Sequence, residues 1–220
     1  MQTDRALPSG SARHIRTDDR EAADASLIES IAKGDQTALQ ALFARHSTRV
    51  YRYALRLTGS ATIAEETVSD VFLEVSGSAA SYAGRSQVST WLLGIARHKA
   101  LSARRRNREL QLDEQIASAI EDPADNPEQI LLNRSRASVI ARCIGQLSQR
   151  QREVIDLFYL HEKPISEVVA IVGASESTIK SRMFYARCRM AKLLEQAGIE
   201  SARLGFRPGN FSGVKLGNGP

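Results

Sequence analysis

The residues best suited to bind a polyanion lie in a basic stretch between positions 175 and 192. This stretch has one acid, Glu176, and five cations: Lys180, Arg182, Arg187, Arg189 and Lys192. Its first residues are short and polar, which suits the end of a recognition helix that contacts base edges. The neighbouring cations can hold phosphates. The predicted chemistry is noncovalent contact with nucleic acid, although a solvated basic helix is the simpler interpretation of this stretch alone.

The elements around this stretch favour the nucleic-acid interpretation. Ser175 is a good N-cap for a helix. Apolar residues then recur at the spacing of one buried helix face: Ile179, Met183, Ala186, Met190 and Leu193. A shorter apolar helix is predicted over residues 165–172, and Gly173 can end it in a left-handed conformation. A short helix, a three-residue turn and a longer basic helix together form the pattern of a helix-turn-helix.

A second basic segment lies in the first half of the chain. From Arg97 to Leu110 there are six Lys and Arg residues and one acid. It continues an apolar helical stripe formed by Val88, Trp91, Leu92 and Ile95. Because Trp91 lies on this stripe, it is predicted to be a core residue. From Gln111 to Ile130 there are six acids and no Lys or Arg. This segregation of charge predicts a polyanion-facing helix followed by an acidic connector.

Helical periodicity through most of the chain predicts an all-α fold. We expect two small helical domains joined by a flexible acidic linker, the C-terminal one being a helix-turn-helix four-helix domain. The predicted boundaries are a disordered N-terminal arm at 1–24, a first domain at 25–106, the linker at 107–129, a second domain at 130–197 and a Gly-rich flexible tail at 198–220.

No pattern of residues indicates catalysis, a cofactor or a metal site. The sequence has no P-loop, dinucleotide fingerprint or nucleophile elbow. Cys143 and Cys188 lack a close Cys or His partner and are predicted to be core thiols, and the four histidines are scattered. No run of about 18 apolar residues and no secretory signal is present. We therefore expect a cytoplasmic protein that is not an enzyme and has no membrane span. Its net charge of +5 suits an acidic partner.

Three stretches resemble the extracytoplasmic-function (ECF) group of bacterial RNA polymerase sigma factors, in their minimal two-domain form. The first, AEETVSDVFLEV at 64–75, is similar to the helix that docks on the polymerase clamp. The second, STWLLGIARHKAL at 89–101, is similar to the helix that reads the opened −10 element. The third, LSQRQREVIDLFYL at 147–160 with GASESTIKSRMFYAR at 173–187, is similar to the domain that reads the −35 element. Tyr185 departs from the family pattern, because a basic residue is frequent at that position.

The resemblance implies roles for three sets of residues. Core polymerase would be bound by Glu65, Glu66, Ser69, Asp70 and Phe72. The −10 element would be held by a loop that captures a flipped base, which requires hydrogen bonds and stacking, and by cations on phosphates: Tyr82, Arg85, Ser86, Ser89, Arg97, His98, Lys99 and Arg104. The −35 groove would be contacted by Ser175, Ser177, Thr178, Lys180, Ser181 and Arg182, of which Lys180 and Arg182 are the best candidates for guanine edges.

The same resemblance implies a dissociable promoter-specificity subunit. It would be a monomer when free, bind core RNA polymerase and promoter DNA, catalyse no reaction and be held inactive by a cognate anti-sigma factor. Two alternatives stay open. One is a stand-alone helix-turn-helix regulator that binds duplex DNA without polymerase. The other is a protein-sequestering adaptor whose domains bind a regulator rather than DNA.

Overall fold

The computed structural model describes residues 11–110 and 138–199, which belong to two compact units. Unit 1 contains α1 (Ser11–Ala32), α2 (Gln36–Thr58), α3 (Ala61–Ser78), a 3₁₀ turn (Ala79–Ser81) and α4 (Val88–Leu110). Unit 2 contains α5 (described over residues 138–145), α6 (Gln149–Ile155) with a π-helical turn (Asp156–Leu160), α7 (Ile165–Val172) and α8 (Glu176–Gln196). The described residues contain no strand, and the prediction of an all-α fold with two domains is confirmed.

Unit 1 is a helical bundle in which α2, α3 and α4 pack against one another and α1 packs on α2. Its centre is formed by side chains with almost no exposure to solvent: Leu42, Val50 and Tyr53 from α2, Val71 and Val75 from α3, and Val88, Leu92 and Leu93 from α4. The apolar stripe predicted before the basic segment therefore faces this core, and the cations that follow are carried on a helix whose position the core determines.

Short polar and glycine residues fix the joints between these helices. The Asp35 carboxylate caps α2 by accepting hydrogen bonds from the N–H groups of residues 37 and 38, at 2.8 and 3.2 Å. Gly59 ends α2 at φ 75°, a conformation in which an L side chain would be strained. Ser60 then caps α3 by accepting from the N–H of residue 63 at 3.3 Å. Two residues therefore separate the end of α2 from the start of α3.

Helix α1 begins at Ser11, so the prediction of a disordered arm over residues 1–24 was wrong for residues 11–24. The physical reason is a buried contact that helical periodicity does not reveal. Asp24 is 5% exposed, and its carboxylate accepts a hydrogen bond from Arg45 at 2.9 Å and pairs with His46 Nε2 at 2.7 Å. Burial alone raises the pKa of Asp24, but the hydrogen bonds and charges of His46 and Arg45 outweigh it and hold the pKa below its ordinary value.

Unit 2 is built by packing α6 and α7 against α8. Its core side chains have no exposure to solvent: Val154, Leu157, Val168, Ile179, Met183, Ala186, Met190 and Leu194. The buried stripe predicted for α8 is therefore confirmed, including Leu193, which is also buried. Because this stripe faces inward, the polar and basic residues of α8 lie on its remaining faces.

The two caps predicted for the helix-turn-helix, Gly173 and Ser175, are confirmed. Gly173 ends α7 at φ 67° and donates its N–H to the carbonyl of residue 169 at 2.9 Å. Ser175 caps α8 by accepting from the N–H of Thr178 at 3.3 Å. Ser148 and Gln151 form a capping box at the start of α6. Three residues thus separate α7 from α8, and the joint is that of a helix-turn-helix.

One cation of the basic stretch is part of the packing of unit 2. Arg187 is 8% exposed, and its guanidinium lies 5.4 Å from the ring centroid of Phe158 and 5.6 Å from that of Tyr159. Both rings belong to the π-helical turn, so this stacking joins that turn to α8. Arg187 therefore contributes to the position of α8 rather than to its exposed face.

The structure also bears on the start of the predicted linker and on the point where the chain divides into two units. Helix α4 runs to Leu110, so residues 107–110 are helical and do not belong to the linker. The chain divides between residues 115 and 116, inside the predicted linker. Residues 1–10, 111–137 and 200–220, which include the rest of the predicted arm, linker and tail, lie outside the described residues. Cys143 is buried and Cys188 partly buried, each as a free thiol.

Candidate nucleic-acid interface

The helix-turn-helix of unit 2 carries an open groove of about 440 Å³ beside the start of α8. Four of the six residues predicted to contact a −35 element line it together: Ser177, Thr178, Ser181 and Arg182. They share one face because positions 177, 178, 181 and 182 are one turn apart on a helix. A groove lined by hydroxyls and a guanidinium can donate and accept hydrogen bonds at base edges and hold a phosphate.

The other two predicted residues of this set, Ser175 and Lys180, are not among the groove-lining residues. Ser175 acts as the N-cap, and its hydroxyl lies 2.8 Å from that of Thr178 and 3.1 Å from that of Ser177. Lys180 forms an ion pair with Glu176 one turn earlier, at 2.6 Å. Ser175 thus organises the first turn, and Lys180 is already paired with an acid on its own helix.

The groove also contains residues that were not predicted to contact DNA. Ser148, Arg150 and Gln151, from the start of α6, form its opposite wall, and Tyr185 of α8 is 56% exposed within it. Ser148 and Gln151 have the local spacing of a capping box, but their proximity to α8 depends on tertiary packing. The start of α6 and the start of α8 therefore open onto the same groove, where the partial positive charges of two helix N-termini favour a phosphate.

In unit 1, the predicted −10 loop is held around an aromatic pair. The ring centroids of Tyr82 and Trp91 are 5.1 Å apart, and the Tyr82 hydroxyl donates a hydrogen bond to the carbonyl of Ser86. Trp91 is only partly buried, so the prediction that it is a core residue was wrong. It lies on the first turn of α4, where its ring is partly open to solvent and can offer a surface for stacking.

The cations predicted to hold −10 phosphates have different surroundings. Arg85 and His98 are exposed, whereas Arg97 is half-buried. Lys99 forms an ion pair with Glu74 of α3 at 2.7 Å, and this hydrogen bond raises the pKa of Lys99 above its ordinary value. Lys99 is therefore fully charged at neutral pH, but a phosphate must compete with Glu74 for it.

Two members of the predicted −10 set, Ser89 and Arg104, have side chains that contact other parts of unit 1. Ser89, which was predicted to line the base-capturing loop, is buried in the first turn of α4, with its hydroxyl 3.5 Å from Gln87 Oε1. Arg104 is half-buried and its guanidinium donates to the carbonyl of Leu57, near the end of α2, at 3.5 Å. This bond joins α4 to a helix C-terminus, where a cation is favoured by the helix dipole.

The predicted polymerase-binding residues of α3 divide into an exposed set and a buried ring. Glu65, Glu66, Ser69 and Asp70 are exposed. Phe72 is 5% exposed and packs on Phe43 at 4.8 Å between ring centroids, so it belongs to the core rather than to this surface. Leu73, which was not predicted, is 72% exposed next to the acids. An exposed acidic helix face with one apolar residue can bind a basic protein surface.

Neither a metal site nor a membrane span is found in the part of the chain that the structure describes. Among those residues, no group of three or more His, Cys, Asp or Glu side chains could hold a metal ion. None of the described helices is both long and apolar enough to cross a membrane.

Comparison with known proteins identifies both units. Residues 42–109 match the model of Sigma-70 region 2, and residues 137–190 match that of Sigma-70, region 4. The ECF RNA polymerase sigma factor SigL of Mycobacterium tuberculosis is 30% identical over 182 residues, which cover 78% of this chain and 97% of SigL. The ECF RNA polymerase sigma factor SigK of Mycobacterium sp. (strain KMS) is 32% identical over 161 residues, which cover 71% of this chain and 83% of SigK.

Solved structures share the fold. The sigma factor RpoE of Bartonella quintana, solved with the anti-sigma factor NepR, is similar with a TM-score of 0.57 and 26% identity over 71% of this chain and 96% of that one. CnrH, solved with the cytosolic domain of CnrY, is similar with a TM-score of 0.58 and 22% identity over 79% and 98% of the two chains. With matches to both sigma regions and to relatives along most of their length, this chain belongs to the ECF group of sigma-70 family RNA polymerase sigma factors.

Proposed function

We propose that this chain is a promoter-specificity subunit that binds core RNA polymerase, recognises −10 and −35 elements and promotes transcription initiation. The observation that carries the proposal is the presence, on one chain, of matches to Sigma-70 region 2 and region 4. A stand-alone regulator needs a helix-turn-helix but has no need of a region 2 domain. Two DNA-contacting modules on one chain address two separated elements of one duplex.

In this proposal, the groove of unit 2 contacts the −35 element. Arg182 reaches a base edge or a phosphate, while Ser177, Thr178 and Ser181 supply hydroxyls along the same helix face. Arg150 and the start of α6 hold a phosphate on the opposite wall. Lys180 contributes charge at the edge of the site after leaving Glu176.

The −10 element is contacted by the loop before α4 and by the first half of α4. Tyr82 and Trp91 supply aromatic surface, Arg85 and His98 are exposed polar contacts, and Lys99 holds a phosphate. Arg97 extends the same basic helix. Ser86 fixes the loop through its carbonyl, and Arg104 acts mainly by joining α4 to α2.

The exposed acidic face of α3 binds core polymerase. Glu65, Glu66, Ser69 and Asp70 form this face, and Leu73 adds an apolar contact at its edge. Opposite charge on the partner steers association, and the apolar side chain adds burial. The protein itself performs no catalytic step, because polymerase supplies the chemistry of transcription.

A cognate anti-sigma factor controls the protein, and the free chain is a monomer in the cytoplasm, where polymerase and promoter DNA are found. Support for the inhibitor comes from the RpoE structure of Bartonella quintana, which contains the anti-sigma factor NepR. The inhibitor would hide the surfaces that polymerase and DNA require.

The proposal is tested by in vitro transcription with purified core polymerase on a pool of genomic fragments from the native host. We expect promoter-directed transcripts that require this chain and share two sequence elements. An Arg182→Ala variant should reduce them without weakening binding to core polymerase, and a Lys192→Ala variant should not reduce them. Transcripts that do not depend on the chain would contradict the proposal. Tight binding of the free protein to a palindromic duplex would instead support the stand-alone regulator.

A further inference from the structure

The N-terminal helix α1 contacts the opening of α4 through one carboxylate. Glu21 Oε1 accepts a hydrogen bond from the backbone N–H of Val88, the first residue of α4. Helix α1 also packs against the 3₁₀ turn Ala79–Ser81 and against α4. Because that turn precedes residues 82–87 and α4 follows them, α1 contacts both ends of the loop assigned to the −10 element.

Glu21 is held on a fixed support. Three residues later, Asp24 is buried between Arg45 and His46 of α2, at 2.9 and 2.7 Å. Ile28, one turn further, is buried in the core. Helix α1 is therefore anchored to α2, and the carboxylate of Glu21 keeps a defined position relative to the bundle.

The group that Glu21 bonds belongs to the part of unit 1 that carries the aromatic pair. The carbonyl of Gln87 accepts hydrogen bonds from the N–H groups of Thr90 and Trp91, each at 3.0 Å, and these bonds form the first turn of α4. The Trp91 ring then lies 5.1 Å from that of Tyr82. Displacing the Val88 N–H would change the direction of this turn and the spacing of the two rings.

We propose that Glu21 is a positioning residue that sets the loop 82–87 and Trp91 for contact with the −10 element. A carboxylate at a helix N-terminus satisfies a free N–H and is favoured by the helix dipole. Glu21 lies before residue 42, where the match to Sigma-70 region 2 begins, so the role is added by α1. The proposed effect of Glu21 on DNA binding rests on the proposed function, whereas the proposed effect of Glu21 on the loop does not.

The effect on the loop can be measured in the free full-length chain, because Trp91 is the single tryptophan. Losing a hydrogen bond to a charged acceptor should loosen the turn, so Glu21→Ala is expected to raise the acrylamide quenching of Trp91 about twofold. Glu21→Gln keeps a neutral acceptor and should give an intermediate value. Glu29→Ala removes an exposed acid from the same helix and should leave quenching unchanged. Equal quenching in all four proteins would overturn the proposal.

If Glu21→Ala does not fold, hydrogen exchange in Glu21→Gln decides the same question. The neutral acceptor bonds Val88 less strongly, so exchange should rise over residues 86–90 and stay unchanged in α3. Unchanged exchange at both places would overturn the proposal.

The effect on DNA is measured with holoenzyme and a forked promoter fragment whose −10 element is single-stranded. Glu21→Ala should lower affinity for the fork about tenfold, as expected for one lost charge-assisted bond, and leave core-polymerase affinity unchanged. A general defect of unit 1 would weaken both and would overturn the positioning role. If wild-type holoenzyme does not bind the fork, the proposed function fails, but the Trp91 measurement still decides whether Glu21 sets the loop.

Discussion

The groove of unit 2 and the basic surface of α4 in unit 1 both present cations. The two regions differ in whether the cations that stabilise the fold are the same ones that are available to bind a phosphate. In unit 2 the buried Arg187 stacks in the core, and Arg182 lines the groove. In unit 1 Lys99 is paired with Glu74, and Arg104 bonds the carbonyl of Leu57. A phosphate at Lys99 or Arg104 would therefore compete with contacts that join helices, whereas in unit 2 the structural and the groove-lining tasks fall on separate cations.

The largest effect is expected where the structural cation of unit 2 is removed. Arg187→Ala should lower the free energy of unfolding of unit 2 by about 3 kcal/mol, because a buried cation and its stacking on Phe158 and Tyr159 are lost. Hydrogen exchange by mass spectrometry should show faster exchange in α8 and no change in α4. Arg189→Ala, which removes an exposed cation from the same helix, is the control. Equal effects of the two substitutions would place Arg187 outside the core.

The buried charge of unit 1 gives the matching experiment. Asp24→Ala should cost about 2 kcal/mol at pH 7, since His46 and Arg45 lose a buried partner. The pKa of Asp24 is lowered in the folded protein, so its stabilisation is present above the ordinary value of 3.8 and is lost as pH falls through the folded pKa.

Urea unfolding followed by Trp91 fluorescence checks this prediction. The stability difference between wild type and Asp24→Ala should narrow as pH is lowered below about 4. Glu29→Ala provides the matched control, because it removes an exposed acid from the same helix. A difference that stays constant with pH would show that Asp24 stabilises unit 1 without its charge.

Removing the groove cation should affect DNA and leave folding intact. Arg182→Ala is expected to weaken holoenzyme binding to promoter DNA about tenfold, through lost contacts to a base edge or phosphate. Fluorescence anisotropy at several salt concentrations separates a base contact from a phosphate contact, since the loss of a phosphate contact also lowers the salt dependence of binding. Lys192→Ala on the same helix is the control, and the same loss from both variants would assign Arg182 no special role.

The sequence predicts unit 2 better than unit 1 because its signals are local. The caps at Gly173 and Ser175 and the spacing of residues 177–182 lie within a few residues of one another, so helical periodicity alone places them on one face. In unit 1 the decisive contacts join distant positions, such as Glu21 with Val88 and Arg104 with the carbonyl of Leu57. Periodicity does not report such pairs, so the helical structure of residues 11–24 and the partial exposure of Trp91 were not predicted.

Two adjacent arginines of α4 distinguish folding from binding in unit 1. Arg104→Ala should lower the free energy of unfolding by about 1 kcal/mol, because the long bond to the carbonyl of Leu57 is lost. Arg105 is exposed, so Arg105→Ala should change stability by less than about 0.5 kcal/mol. Urea unfolding followed by Trp91 fluorescence measures both. If Arg105→Ala destabilised the protein more, the structural role assigned to Arg104 would be wrong.

The smallest effect tests whether Lys99 is shared between α3 and DNA. Surface ion pairs are worth between zero and about 1 kcal/mol, so Glu74→Gln should cost little stability and free Lys99 for a phosphate. Holoenzyme carrying Glu74→Gln is expected to bind the forked promoter fragment about twofold more tightly at low salt, and the gain should vanish at high salt. The double variant Glu74→Gln with Lys99→Ala must lose the gain.

Glu29→Gln controls for removing one negative charge elsewhere on unit 1. A gain that persists without Lys99 would mean that Glu74 repels DNA directly, and the competition inferred for unit 1 would then rest on Arg104 alone.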